Sequence, residues 1–304
     1  MISSPRVSVV MAVYNGESYL REAVDSILQQ TIPDLEFIIV LDPSDDDTKT
    51  ILESYIDPRI ILLQNDEKLG LAMSLNRGLK LARGKYVARM DADDISLPER
   101  LERQVAFMEN HEAVGVCGSW LKIIGYDGGW IRELPVDPEF LKCQFIFGCL
   151  IAHPTVIMRR DLLVKHDLFY NPDFTHAEDY DLWVRCARHF QIANQSEVLY
   201  LYRHHAEQAS RYAMEQERYS GLVMSDELKH LGVDFTHEEM EFHKEISVWR
   251  IPANPLFADR SRLWLDKLIE TNARTNYYPE PVFSEMVNKR WNGICERCGI
   301  NQSD

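Results

Sequence analysis

Two carboxylates one residue apart, in Asp91-Ala92-Asp93-Asp94, are the first candidates for chemistry in this chain. Alternate side chains of an extended segment leave on the same side, so Asp91 and Asp93 point the same way. Unpaired carboxylates this close repel one another, and a divalent cation relieves the repulsion. Hard oxygen ligands suit Mg²⁺ or Mn²⁺, which are held by one or two carboxylates and complete their shell on substrate phosphates. The alternative is a solvated acidic turn that caps the next helix, and for Asp-x-Asp alone that reading is the better one. Position favours function here, because the turn follows a buried strand. Asp94 adds a third charge, as a ligand or as an anchor for the turn. Cys295-Glu296-Arg297-Cys298 is a second spacing of interest. It has no second ligand pair for zinc and lies at the wrong end of the chain for a redox motif, so it reads as two ordinary thiols.

The elements that must position the acids follow from the apolar pattern. Val7–Val13 and Leu35–Leu41 are continuous β-branched and aliphatic runs, the mark of strands buried on both faces. Arg59–Gln64 and Lys85–Met90 are two more. Between them Leu20, Ala23, Val24, Ile27 and Leu28 fall on one helical face. A helix runs from the Asp42–Asp47 turn to about Tyr55, and Leu71, Leu75, Leu79 and Ala82 line a third. Pro98 opens a fourth helix, with Leu101, Val105 and Met108 inward. The order β-α-β-α-β-α-β predicts an α/β fold with a mostly parallel sheet flanked by helices. Such sheets bind ligands beyond the carboxyl ends of their strands, which is where Asn15, Asp42 and Asp91–Asp94 lie. Farther on the pattern predicts strands over Val114–Ile124, His153–Met158 and Val198–Tyr202. It also predicts a turn at Asp127-Gly128-Gly129 and a helix through Leu182, Trp183, Cys186, Ala187 and Phe190. Beyond about Ala206 the chain reads as charged helices rich in Trp and Tyr.

Composition bounds the rest. The 304 residues suffice for one large domain with a helical appendage, and 45% hydrophobic residues suit an ordinary core. A net charge of −15 argues against nucleic acid as a partner and against broad attraction to an anionic membrane. No run approaches the roughly 18 apolar residues of a membrane span, and the N-terminus lacks the charged-then-apolar pattern of a signal peptide. Scattered cysteines fit a reducing, cytoplasmic compartment.

The ordered segments 7–31, 35–48, 70–94, 153–160, 176–185 and 202–210 together resemble glycosyltransferase family 2, the inverting enzymes of GT-A (Rossmann-like) fold. The resemblance covers about the first 210 residues. It implies an inverting transfer of a sugar from a UDP-sugar to an acceptor hydroxyl, a glycan or lipid-linked glycan, in surface polysaccharide biosynthesis. It implies that Ala12, Val13 and Tyr14 contact the base and ribose, with Asp91 and Ala92 beside the nucleotide sugar. Asp42 matches the carboxylate that reads uracil. An ionised carboxylate only accepts, and the imide N–H donates. Leu41-Asp42-Pro43-Ser44 departs from the family's Asp-Asp-Gly-Ser by one acid and by a stiff Pro in place of Gly. Asp91 and Asp93 match the Mn²⁺ or Mg²⁺ ligands, and His205 matches a third ligand, with His204 one residue out of register. Asp179, in Glu178-Asp179, matches the general base, where helix capping is the competing explanation. His153-Pro154-Thr155 matches an acceptor-side segment, while Lys68 and Arg77 read as solvated.

The domains expected on this basis are a catalytic domain over 1–210, split into a nucleotide-sugar half (1–112) and an acceptor half (113–210), and a helical extension over 211–304. That extension offers a surface for peripheral contact at the inner face of a membrane or for a homodimer, although its aromatics are expected mostly to pack inward. Three other functions compete. A polyprenyl-phosphate glycosyltransferase would favour a basic or membrane-spanning anchor. A sugar-1-phosphate nucleotidyltransferase would need a Gly-rich basic loop where Tyr14-Asn15-Gly16-Glu17 stands. A non-catalytic nucleotide-sugar-binding module would have no need to keep the acids.

Overall fold

The structure is a computed structural model that describes residues 4–126, 128–205 and 213–300. The chain alternates β1 (Val7–Val13), α1 (Leu20–Leu28), β2 (Leu35–Leu41), α2 (Thr48–Glu53), β3 (Ile60–Gln64), α3 (Leu71–Leu81) and β4 (Tyr86–Met90). A short β5 (Ile95–Ser96) precedes α4 (Arg100–Asn110), β6 (Val114–Gly125) and β7 (Ile131–Arg132). Then come α5 (Pro138–Gln144), a 3₁₀ turn at His153–Thr155, β8 (Ile157–Arg159), α6 (Arg160–Lys165), α7 (Glu178–Ala187) and β9 (Gln191–His204). The C-terminal helices are α8 (Ala213–Leu231), α9 (His237–Ser247), α10 (Pro255–Thr275) and α11 (Val282–Cys298).

The strands form one sheet in the order β3-β2-β1-β4-β8-β6-β9-β5, with β7 added to β6. β1 through β4 are mutually parallel, and β8 is inserted antiparallel between β4 and β6. β6 and β9 are parallel to each other. This is the expected α/β architecture. Alternate residues of the central strands, among them Val9, Met11, Phe37, Ile39, Ala88 and Met90, are fully buried in one core with Leu20, Ile27, Leu101 and Met108. Each large aliphatic side chain removed from water in this way stabilises the fold by about 1.5–3 kcal/mol. The opposite face carries Val10, Val40 and Gly78, where α3 presses against the sheet through a residue with no Cβ.

Two strand expectations are corrected. His153–Met158 is not one strand: Pro154 lacks an N–H, and the segment makes a 3₁₀ turn before β8 begins at Ile157. β9 begins at Gln191, seven residues before the expected Val198. Its first half hides polar groups by bonding them, as where buried Asn194 donates to the carbonyl of Pro135 at 2.7 Å. The apolar signal is therefore missing from that half.

The chain divides into two compact units, residues 1–136 with 151–215, and residues 137–150 with 216–304. The boundary expected at 210/211 lies outside the described residues, as do Asp127 of the expected turn and the 206–210 part of the last family segment. The second unit takes in α5, which falls within the 113–210 span expected as the acceptor half. It is held there by buried polar contacts. His243 donates from Nε2 to the Ile146 carbonyl at 2.7 Å and accepts from Trp264 Nε1 at 3.0 Å. Arg290 donates to the Ile246 carbonyl at 2.8 Å and lies over Phe147. Trp264 and Tyr278 are buried within this unit. All six cysteines are free, with Cys295 and Cys298 buried in α11. Among the described residues no helix is long and apolar enough to cross a membrane.

Candidate active site

The carboxyl ends of β1, β2 and β4 meet on one rim. There the chain leaves β1 at Tyr14 and turns through Asn15, whose φ of 48° is left-handed. Gly16 follows because a Cβ there would sit 2.8 Å from Val13 Cγ2, and Ala92 lies just beyond. The loop is stitched to the loop after β2. Asn15 N–H donates to Ser44 Oγ, Gly16 N–H to Thr48 Oγ1 and Glu17 N–H to Asp46. Ala12 and Val13 lie within the strand end, while Tyr14 is 41% exposed.

Asp42 lies beneath this rim, 3% exposed. Its Oδ1 accepts from Asn65 Nδ2 at 2.5 Å, from the Leu69 N–H at 3.2 Å and from Ser74 Oγ at 3.2 Å. Its Oδ2 accepts from the Gly70 N–H at 2.9 Å. Gly70, at φ 78°, is the residue before α3. One carboxylate thus fixes the loop over residues 65–70 and the start of α3. Lys68 and Arg77, read from the sequence as solvated, have partners in this loop region. The Lys68 ammonium sits 3.5 Å from the Tyr14 ring centroid, and Arg77 donates to Asn65 Oδ1.

At the end of β4, Asp91, Asp93 and Asp94 each offer an oxygen, and these atoms lie within 4.8 Å of one another. The Asp91 N–H donates to Tyr200 Oη at 3.2 Å. Asp93 Oδ2 is 2.9 Å from His205 Nε2, so the structure brings His205 to the acids. His204 instead packs its ring against Tyr202 and Trp130. Asp94 is fully buried, and its Oδ1 accepts the Arg203 N–H at 2.8 Å, tying the turn to β9. Its other oxygen is buried with no hydrogen-bond partner among the described residues, and burial pushes its carboxyl well above the usual range. Oxygens of this kind crowded at a strand end fit a hard divalent cation. Burial likewise raises Asp91, opposed by the Arg89 guanidinium with which it pairs.

Glu178 and Asp179 open α7, where the helix N-terminus favours negative charge. Asp179 Oδ1 accepts the Tyr180 N–H at 2.7 Å. Burial, then the neighbouring charge of Glu178, pushes the Asp179 carboxyl up to about 7. That combination suits a proton acceptor near neutral pH. His153 Nε2 lies 2.8 Å from Tyr170 Oη, and burial holds the imidazole well below its usual range.

The family model described as glycosyl transferase family 2 matches residues 8–166. An uncharacterised glycosyltransferase of Methanocaldococcus jannaschii is 40% identical over 210 residues, 66% of this chain and 72% of that protein. The O-antigen biosynthesis glycosyltransferase WbnJ of Escherichia coli is 33% identical over 217 residues, 68% of this chain and 83% of that protein. Among solved structures, S. aureus TarS 1–349 in complex with UDP-GlcNAc superposes with a TM-score of 0.63 at 20% identity, over 96% of this chain and 89% of that one. The Pyrobaculum calidifontis mannosyltransferase PcManGT, in complex with GDP-Man and Mn²⁺, gives 0.59 at 16% identity, over 98% and 86%. With the parallel half-sheet, the acidic strand end and more than half of its length matched, the chain belongs to glycosyltransferase family 2.

Proposed function

We propose that this enzyme is an inverting glycosyltransferase that moves a sugar from a UDP-sugar to a hydroxyl of a glycan or lipid-linked glycan in surface polysaccharide biosynthesis. The observation that carries the reading is the acidic strand end, where Asp91, Asp93 and Asp94 crowd and His205 reaches Asp93. Asp91, Asp93 and His205 would hold Mn²⁺ or Mg²⁺. A bound cation of this kind neutralises the charge that develops on a departing diphosphate. WbnJ, by its name, supports the polysaccharide role, and TarS with UDP-GlcNAc supports a UDP-sugar donor.

The chain's own residues account for the remaining steps. Tyr14 offers an exposed ring at the end of β1 for the base. Asp42 Oδ2 carries one hydrogen bond and so retains an acceptor direction for an imide N–H. Asp179 takes the proton of the acceptor hydroxyl as that oxygen attacks the anomeric carbon from the face opposite the leaving group. One proton acceptor suffices, because direct displacement forms no covalent intermediate. Its carboxyl, raised to about 7, is basic enough for the task and still largely ionised above neutrality.

The test is a panel of UDP-GlcNAc, UDP-Glc, UDP-Gal and GDP-Man incubated with and without Mn²⁺, with UDP or GDP release measured. Mn²⁺-dependent UDP release is expected. Full activity after chelation would refute the metal assignment, and GDP release alone would refute the UDP assignment. Absence of release from every donor, with UDP still bound, would mark a binding module.

A further inference from the structure

Arg203 stands near the end of β9, two residues before His205, and its side chain is only 14% exposed. Its backbone N–H donates to Asp94 Oδ1 at 2.8 Å, and its Nε–H donates to the Asp93 carbonyl at 2.8 Å. A terminal nitrogen donates to Glu22 Oε2, in the first turn of α1, at 2.9 Å. The guanidinium carbon lies 4.5 Å from the ring centroid of Tyr19, the residue just before α1. One residue thus joins three segments: the acidic turn, the start of α1 and the end of β9.

These contacts close into a ring. The far side of the circuit is the Tyr19 ring, which packs against the His205 imidazole with centroids 5.0 Å apart and planes at 47°. His205 Nε2 in turn lies 2.9 Å from Asp93 Oδ2, and the Asp93 carbonyl returns to Arg203. Asp93 and His205 are 112 residues apart in sequence, so they meet only where the fold holds both. Side chains fixed beforehand lose less freedom when a ligand binds between them. Arginine suits the task, because its planar fork gives donors in set directions and a face for an aromatic ring, where lysine offers a mobile point charge.

We infer that Arg203 is a positioning residue for the cation site: by bridging the Asp93 carbonyl, Glu22 and the Tyr19 ring, it holds the Asp93 carboxylate and, through Tyr19, the His205 imidazole within reach of one cation. This rests on the reading of Asp93 and His205 as metal ligands. The charge of Arg203 works against the same function, because a guanidinium beside the site repels a divalent cation. The ion pair with Glu22 offsets part of that repulsion. The two effects of Arg203 have opposite signs, so they can be told apart. Removing a charge alone would tighten metal binding, whereas removing a support weakens it.

The experiment measures Mn²⁺ binding to the full chain by electron paramagnetic resonance, without nucleotide, at a temperature where thermal melts show each variant folded. Arg203→Met should weaken binding by about tenfold or more, the scale of losing a group that orients a metal ligand. Arg203→Lys keeps the charge without the fork and should weaken it as well. Tyr19→Leu should weaken binding by a similar factor, while Tyr19→Phe keeps the ring and should bind as the native chain does. The tyrosine pair carries the test if the arginine variants misfold. Tighter binding in Arg203→Met would mark a charge effect alone and overturn the inference. Native Mn²⁺ affinity in Arg203→Met, with UDP binding weakened, would mark a phosphate partner and overturn it too. Equal weakening in Tyr19→Phe and Tyr19→Leu would overturn the part assigned to the ring. Native Mn²⁺ affinity in both Asp93→Asn and His205→Ala would instead overturn the metal assignment itself, whatever the arginine variants do.

Discussion

Asp179→Asn separates two consequences of one half-buried carboxyl, because it should slow the enzyme and stabilise the fold. The carboxyl rises from an ordinary 3.8 to about 7 on folding. As pH climbs through this window the unfolded chain releases its proton first, so the native state loses stability, and above about pH 7 the whole penalty stands. At roughly 1.4 kcal/mol per pH unit the ceiling is about 4 kcal/mol. Asp179 is only partly buried and shares its environment with Glu178, so about 2 kcal/mol is the reasonable expectation. Asparagine fills the same space, and its side-chain oxygen can still accept the Tyr180 N–H. In metal-free thermal melts the variant should exceed the native protein by about 4–8 °C at pH 8 and match it at pH 4. Turnover should fall by about 10²–10⁴-fold above about pH 7, where the native carboxyl is ionised, and the gap should narrow as pH falls below 7. An equal melting difference at both pH values would refute the reasoning, since a pH-independent effect cannot arise from the Asp179 proton.

Three further outcomes are expected. Asp93→Asn and His205→Ala should each weaken Mn²⁺ binding, read by electron paramagnetic resonance, by at least about tenfold, because the two side chains meet at 2.9 Å and would share the cation. Asp42→Asn should destabilise the first unit by about 1–3 kcal/mol in urea unfolding, since an amide cannot accept from all four donors on the 65–74 segment. Lys68→Ala should change UDP affinity, measured by calorimetry, while leaving the melting temperature within about 1–2 °C, because its contact with the Tyr14 ring lies at the exposed rim.

The elements that carry the acids were legible because β1, β2 and β4 are buried on both faces and so read as unbroken apolar runs. The acids themselves were legible because each follows such a run. The environment that gives them their chemistry was not. Arg89 looks like an ordinary polar interruption of a strand, yet it is buried, and the His153 turn that packs on β4 comes much later in the chain. The donors on Asp42 come from residues 65–74, and no local pattern links the two segments. The His204/His205 register was open in the sequence, since both stand at the end of β9. The first half of β9 was hidden because it buries amides rather than hydrocarbon. The placement of the α5 segment with the second unit involves contacts of Ile146 to His243 and of Phe147 to Arg290, which lie far along the chain.

The Asp42 carboxylate also bears on how this enzyme could acquire a new donor. A residue that only touched the base could be exchanged freely, and specificity would drift with it. Here the carboxylate proposed to read the base also holds the loop over residues 65–70, so losing it would slacken that loop before any new base is recognised. On the proposed reading, variation that retunes the donor would be channelled to the outer rim, to Tyr14 and Lys68, whose exchange leaves the Asp42 hydrogen bonds in place. Asp42 serves as a keystone, and the freedom to change lies in the residues around it.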